Sequence, residues 1–524
     1  MILRCWMIKL FFGFLFFVCL ININKAEKKS KIILVRNQLV QGRILHTALR
    51  NVEYSAFKGI PYAKPPVGDL RFKPPVKYEA EDVRNIVYRD GHMCLQYDIN
   101  TKSVIGDEDC LYLNVYTPEV DFPRDIEQRA VMVWIHDGAF LWGSNHQSRY
   151  GPDFLIEKNV VVVTMNYRLG AFGFLVDDHE ISGNMGLKDQ LLALEWIKNH
   201  IALFGGDPSR ITIFGKDAGA VSVELHRLSP LSRGLFWASI AMSGSPFNPW
   251  AFRKRYEAEY MSREFRDILS ESELKIGSKL ESTCRPLKNC LSMIVHTTHQ
   301  QMMKKGTIPF LPTKESTLID HAFLSHTPAK IYKARLGSNV PHMLGYTDNE
   351  SIGLYSVLKS MYTRAYAFFY DPMETERNFN FFIKGINQMI FYLRQYTDAT
   401  VYNYCNAFDY PKSLHRIAGI DEDGCGHDDD IAHIFYVKDK NQSLDLNSDI
   451  GRYREKIVTM WTNFAKYLDP MANNSIEGVE WPSVTSDRNY LLKLDKNLIL
   501  ERIVPVKDFR ETDHGIDEFV DQYS

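Results

Sequence analysis

Gly215-Lys216-Asp217-Ala218-Gly219 follows the β-branched run Ile211-Thr212-Ile213 and leads into Ala220-Val221-Ser222-Val223-Glu224-Leu225. That order reads as strand, tight turn, helix. Flanking glycines leave room for a sharp bend that pushes the middle side chain into the open. The side chain presented here is the carboxylate of Asp217. A carboxylate so placed can attack carbon, take a proton from water, or stand as a fixed negative charge. Which of these it does is the central question of the chain.

The surrounding elements must hold that bend still. Val131-Met132-Val133-Trp134-Ile135 is nearly all apolar, as expected of a strand in a sheet covered on both faces. Val160 to Thr164 reads the same way, and Leu111–Tyr116, Phe236–Met242, Asn339–Gly345 and Val401–Phe408 read as further strands. Residues 31–45 alternate in a β-like manner, and the Pro/Gly-rich stretch Phe57–Gly68 reads as a loop. Gly186 to Phe204 carries apolar residues at helical spacing, and Gly205-Gly206-Asp207-Pro208 stops it. Residues 250–305 read as helical and charged, 354–398 as helical and aromatic, and Tyr453–Leu468 as an amphipathic helix. Strands alternating with helices, the central strands apolar, predict an α/β fold with a mostly parallel central sheet flanked by helices. No repeat or linker divides the chain, so residues 27–524 are expected to form a single domain.

The chain has 524 residues, 45% hydrophobic and 24% charged, which is ordinary globular composition with length for a large core. A net charge of −2 gives no reason to expect nucleic acid or an anionic membrane as a partner. Arg4 and Lys9 flank the start of an apolar run, Leu10–Leu20, too short for a comfortable membrane span. With Lys25-Ala26 as a plausible cleavage region, residues 1–26 read as a signal peptide and the protein as secreted. No later stretch is long and apolar enough to span, and no metal or cofactor is expected. Of eight cysteines, Cys5 and Cys19 leave with the leader and six face an oxidising compartment. Cys94/Cys110 and Cys284/Cys290 close short loops and are the natural pairs, with Cys405/Cys425 left over. Sequons occur at Asn349, Asn441 and Asn473; the last two lie in polar, loop-like segments suited to glycan.

Several further segments match a known pattern in order: Phe57–Gly68, Glu108–Val115, Asn166–Phe174, Gly183–Gln190, Gly205–Pro208 and Met242–Pro246. Together they resemble the type-B carboxylesterase/cholinesterase family, most of all its secreted insect esterases, from about residue 31 to about 505. The resemblance implies one large α/β-hydrolase domain that hydrolyses carboxylic esters through a Ser–Glu–His triad. By the same resemblance His427, in Gly424–Asp430, takes the place of the general base. Glu350, in Gly345–Glu350, takes that of the acid orienting the imidazole, which leaves Asn349 poorly placed for glycan. The amides of Gly138, Ala139 and Ala218 would form the oxyanion hole.

At the centre this chain departs from the family. The family's usual bend is Gly-Glu-Ser-Ala-Gly; here Lys216 stands for the acid and Asp217 for the serine nucleophile. Asp137 stands for the first glycine of the oxyanion loop, His136-Asp137-Gly138-Ala139-Phe140. A serine forms a stable acyl ester, whereas a carboxylate attacking an ester would form an anhydride. Asp217 is instead expected to pair with His427, with Lys216 neutralising it further and the Asp137 charge facing the hole. The aromatics between Tyr355 and Tyr396, at helical spacing, read as core. The reading is a carboxylesterase-like protein with lost or strongly reduced ester hydrolysis, holding a small apolar ester-like ligand or a protein partner. The alternative is a hydrolase with weak or altered chemistry, water-mediated or through Asp217 as nucleophile. Haloalkane dehalogenases and epoxide hydrolases carry an Asp at this bend, although no lid tyrosine or halide-binding pair is identifiable here.

Overall fold

The computed structural model describes residues 28–503, apart from 36–37, 80–83, 87, 124, 178–180, 272–285, 317–320, 353–378, 441, 473–475 and 486–487. The leader 1–26, Asn441, Asn473 and the aromatics from Tyr355 to Tyr370 lie outside the described residues.

The described strands are β1 (Lys29–Val35), β2 (Gln38–His46), β3 (Glu53–Pro61), β4 (Arg84–Ile86), β5 (Gln96–Asp98), β6 (Ser103–Ile105), β7 (Tyr112–Thr117) and β8 (Arg129–Ile135). They continue as β9 (Val161–Met165), β10 (Gly206–Lys216), β11 (Ala238–Met242), β12 (His342–Thr347), β13 (Val401–Asn406), β14 (Tyr490–Leu494) and β15 (Leu498–Arg502). One large sheet runs β1-β2-β3-β7-β9-β8-β10-β11-β12-β13-β14-β15, with β4 beside β2. From β9 to β14 every neighbouring pair is parallel, and the pairs next to that block, β7–β9 and β14–β15, are antiparallel.

Along β8 the core alternates. Val131, Val133 and Ile135 pack in a cluster on one face of the sheet, Met132 and Trp134 in a cluster on the other. That two-sided burial is why the strand is apolar without a polar alternation. The helix Met185–His200 covers the first face and Asp449–Tyr467 the second, through Leu187, Leu194 and Ile197 in one case and Ile457, Trp461 and Phe464 in the other.

Some sequence expectations change. Phe57–Gly68 begins in a strand: Phe57 and Ile60 are buried and pair with Val115 and Leu113 on β7. The register shifts between those two pairs, with Gly59 at φ 76°, so a bulge within β3 supplies the loop-like composition. The charged helical stretch resolves into Arg255–Glu271 and Leu287–Lys305. The β14–β15 hairpin went unread because its leucines do not alternate cleanly. Cys94 and Cys110 form a disulfide enclosing the β5–β6 hairpin. Cys290 is disulfide-bonded, and Cys284 lies outside the described residues. Cys405 and Cys425 are a correction: both are buried free thiols. Cys405 lies on β13 and packs in the first cluster, whereas Cys425 lies in the His427 loop, where its amide donates to Asp348.

The bend itself is set by close approach. A Cβ on Gly219 would lie 2.0 Å from the Ile135 carbonyl oxygen, and one on Gly215 2.5 Å from the Gly219 backbone. Gly219→Ala is therefore expected to lower the unfolding free energy by at least the about 1–3 kcal/mol of an overpacked core. The reading is a lower urea midpoint at unchanged slope; an unchanged midpoint would contradict the contact.

Candidate active site

β10 ends at Lys216, and the helix Ala218–Leu228 starts directly after Asp217. Asp217 has φ 52° and ψ −119°, a sparsely populated conformation that turns its side chain out of the strand line. Its N–H donates to the Met242 carbonyl at 3.0 Å, and its own carbonyl accepts from Val221 at 3.0 Å. Strand and helix thus pin the bend from both sides.

The loop after β8 faces it. Positive φ falls on Gly138, Ala139 and Phe140, which turns the Gly138 and Ala139 amides inward. Both donate to one carboxylate oxygen, Asp217 Oδ2, at 3.1 and 2.8 Å. The Ala218 amide follows directly at the start of the helix and also favours the carboxylate's negative charge. Two amides expected to hold a substrate oxyanion therefore hold the chain's own side chain.

The other oxygen, Oδ1, lies 4.0 Å from His427 Nε2, with no direct hydrogen bond between them. The opposite ring nitrogen, Nδ1, hydrogen-bonds Glu350 Oε2. Glu350 Oε1 accepts from the Thr347 amide at 2.7 Å, at the end of β12. The Glu350 turn and the His427 loop are joined by a bridge between Asn349 and Gly426. The structure thus brings Asp217, His427, Glu350, Gly138, Ala139 and Ala218 together. Asn349 is half-buried beside them.

Each aspartate after His427 has a separate partner. Asp428 lies 3.5 Å from Arg149, Asp429 is 2.5 Å from His415, and Asp430 is 3.0 Å from Lys216. Lys216 is fully buried and also donates to Ser243 at 3.2 Å, so it serves Asp430 rather than neutralising Asp217 as expected. Asp137 differs from expectation too. Its carboxylate turns away from the hole to Arg149, at 2.7 Å, and to the Tyr150 hydroxyl. Arg149, Tyr150, Ser243 and Asp430 were missed as members of the site. The acidic run after His427 was the available signal for Asp430, and the matching stretch Met242–Pro246 that for Ser243; Arg149 and Tyr150 carry none.

The charges follow from these contacts. Burial alone would raise the Asp137 carboxyl, but Arg149 and Tyr150 outweigh it and hold it at about 2. Burial pushes Asp430 up to about 6, against the pull of Lys216. Burial also raises Asp217, with His427 and the Ala218 and Ala139 amides pulling it back. For Glu350 burial is outweighed by His427 and Lys216, and the carboxyl is lowered. Burial and Lys216 would lower His427, but Glu350 and Asp217 win and raise it. Glu350 therefore adds stability above the ordinary glutamate range, lost as pH falls through its folded value. His427 adds stability below about 6.5, lost as pH rises through its raised folded value.

Beside the oxyanion loop lies an apolar recess lined by Leu141, Trp142, Leu169, Phe172, Val295 and Met302. Among the described residues no helix is long and apolar enough to cross a membrane, and no cluster of metal ligands is found.

A mostly parallel sheet, a strand–bend–helix presenting one side chain, and a facing loop of inward amides define the α/β-hydrolase fold. The sequence profile of the carboxylesterase family matches residues 29–380 and 379–509, and the chain belongs to that family. It is 28% identical over 524 residues to juvenile hormone esterase of Heliothis virescens, covering 90% of this chain and 91% of that protein. It is 38% identical over 311 residues to juvenile hormone esterase of Tribolium castaneum, covering 57% of this chain and 51% of that protein, so that match spans about half the relative's length. The solved juvenile hormone esterase of Manduca sexta superposes with a TM-score of 0.78 at 22% identity, covering 94% of this chain and 99% of that one.

Because Asp217 raises His427, Asp217→Asn is expected to lower the His427 imidazolium pKa. A histidine-ring NMR titration reads this directly, and an unshifted midpoint would contradict the geometry.

Proposed function

We propose that this is a secreted carboxylesterase-like protein in which hydrolysis of carboxylic esters by acyl transfer is lost or strongly reduced. Asp217, His427 and Glu350 stand at the triad positions, with Asp217 in place of the serine nucleophile. One observation carries the reading: Asp217 Oδ2 sits 2.8 Å from the Ala139 amide and 3.1 Å from that of Gly138. A substrate carbonyl must place its oxygen where that oxygen already is, because those amides stabilise the negative charge of acyl transfer. The carboxylate also offers no hydroxyl for His427 to activate, and its attack on an ester would give an anhydride. Both effects act against the same step.

Membership of the carboxylesterase family supports a small ester-like ligand; the recess beside the loop, about 30 Å³, has room only for a small group. Secretion is supported by the signal-peptide reading of residues 1–26 and by the Cys94–Cys110 disulfide, a bond favoured in oxidising compartments.

Loss of a triad nucleophile costs about 10⁶-fold in turnover in a serine protease. Asp217→Ser, assayed beside the wild type on p-nitrophenyl acetate, is expected to turn over at least about 10³-fold faster. A wild-type rate equal to that of the serine variant would overturn this reading.

A further inference from the structure

The arrangement that obstructs acyl transfer fits a different bond-breaking step. We propose that Asp217 is a nucleophile toward small epoxides, opening the ring to an alkyl ester that His427-directed water then cleaves. This is alkyl transfer, so it stands or falls independently of ester hydrolysis.

The two carboxylate oxygens have different surroundings. Oδ2 is held by the Gly138 and Ala139 amides, and Oδ1 faces His427 at 4.0 Å. The Asp217 and His427 side chains keep 12% and 11% of their surface exposed, whereas those of Glu350 and Lys216 keep none. Solvent and substrate therefore reach the cluster between Asp217 and His427. A gap of 4.0 Å is too long for a direct hydrogen bond and short enough for one offset water to bridge.

The position of Oδ2 is the decisive feature. When water attacks Cγ of an Asp217 ester, the tetrahedral oxyanion forms on Oδ2. That atom already rests on the amides suited to such a charge. A serine at the bend would bring a substrate's carbonyl to this cradle; an aspartate brings its own.

The steps balance. Oδ1 attacks a ring carbon, and the C–O ring bond breaks with its electron pair on the ring oxygen. The His427 imidazolium gives that oxygen its proton and becomes neutral. His427 then takes a proton from water, and the hydroxide bonds to Asp217 Cγ. The tetrahedral adduct collapses by breaking Cγ–Oδ1, and the departing alkoxide takes the proton from His427. The new carboxylic acid returns a proton to His427, restoring the starting charges. Epoxide and water become a diol, with no outside oxidant, reductant or cofactor. The raised proton affinity of His427, set by Glu350 and Asp217 against burial and Lys216, supplies the proton of the first step.

The test is a single turnover in ¹⁸O-labelled water, with the full-length protein in excess over styrene oxide, repeated with propylene oxide. Diol and the Asp217 peptide are then weighed by mass spectrometry. The expected result is ¹⁸O in Asp217 and none in the first-turnover diol, because the diol oxygen comes from Asp217 Oδ1. Asp217→Asn, with its thermal midpoint checked against the wild type, is expected to form diol at least about 10³-fold more slowly. Labelled diol with unlabelled Asp217 would mean direct attack by water and would overturn the proposal. So would the absence of diol from both epoxides. The p-nitrophenyl acetate comparison reports separately on acyl transfer.

Discussion

The centre of this protein depends on a carboxylate oxygen at the start of a helix, held by peptide N–H groups of the facing loop. Asp217 Oδ2 accepts from Gly138 and Ala139, and the helix Ala218–Leu228 points its positive end at the same carboxylate. Hydrogen bonds to a charged acceptor contribute about 1.5–3 kcal/mol each. Strained backbone of the kind Asp217 adopts costs about 1–3 kcal/mol. Those bonds act against both the strain and the cost of burying the carboxylate, which still leaves its pKa raised. Everything else at the site is arranged around a negative charge that is already seated.

That arrangement explains how so many ionised groups share a small buried volume. A buried charge without a partner costs several kcal/mol. Here Lys216 has Asp430, Asp137 has Arg149 and Tyr150, and Glu350 has His427. The loop carrying His427 is the hub: its three aspartates reach Arg149, His415 and Lys216 on separate parts of the chain. Through Arg149 the oxyanion loop is tied to the same loop that places the imidazole. Lys216 and Asp137 thus become members of an ion-paired frame around the seated carboxylate.

The fold was legible because burial on both faces imposes an apolar run on β8, β9 and β10, and because glycine is demanded at Gly215 and Gly219. The bend was legible for the same reason. The partners of Lys216 and Asp137 were not, since the direction of a long or charged side chain depends on tertiary neighbours far along the chain. Asp430 is more than two hundred positions from Lys216, and nothing local at Arg149 marks it as a clamp. The bulge in β3 was hidden by its own composition, because Gly59 and Pro61 are turn residues that here end a paired strand. Cys405 and Cys425 misled because counting cysteines takes no account of where the fold places each thiol.

The most direct test of the account is a crystal structure of the wild-type protein at neutral pH, at a resolution that places the Asp217 carboxylate. One carboxylate oxygen is expected about 3 Å from both the Gly138 and the Ala139 nitrogens, with the other facing His427. A carboxylate turned out of the cradle, with water or a separate anion on those amides, would contradict the account.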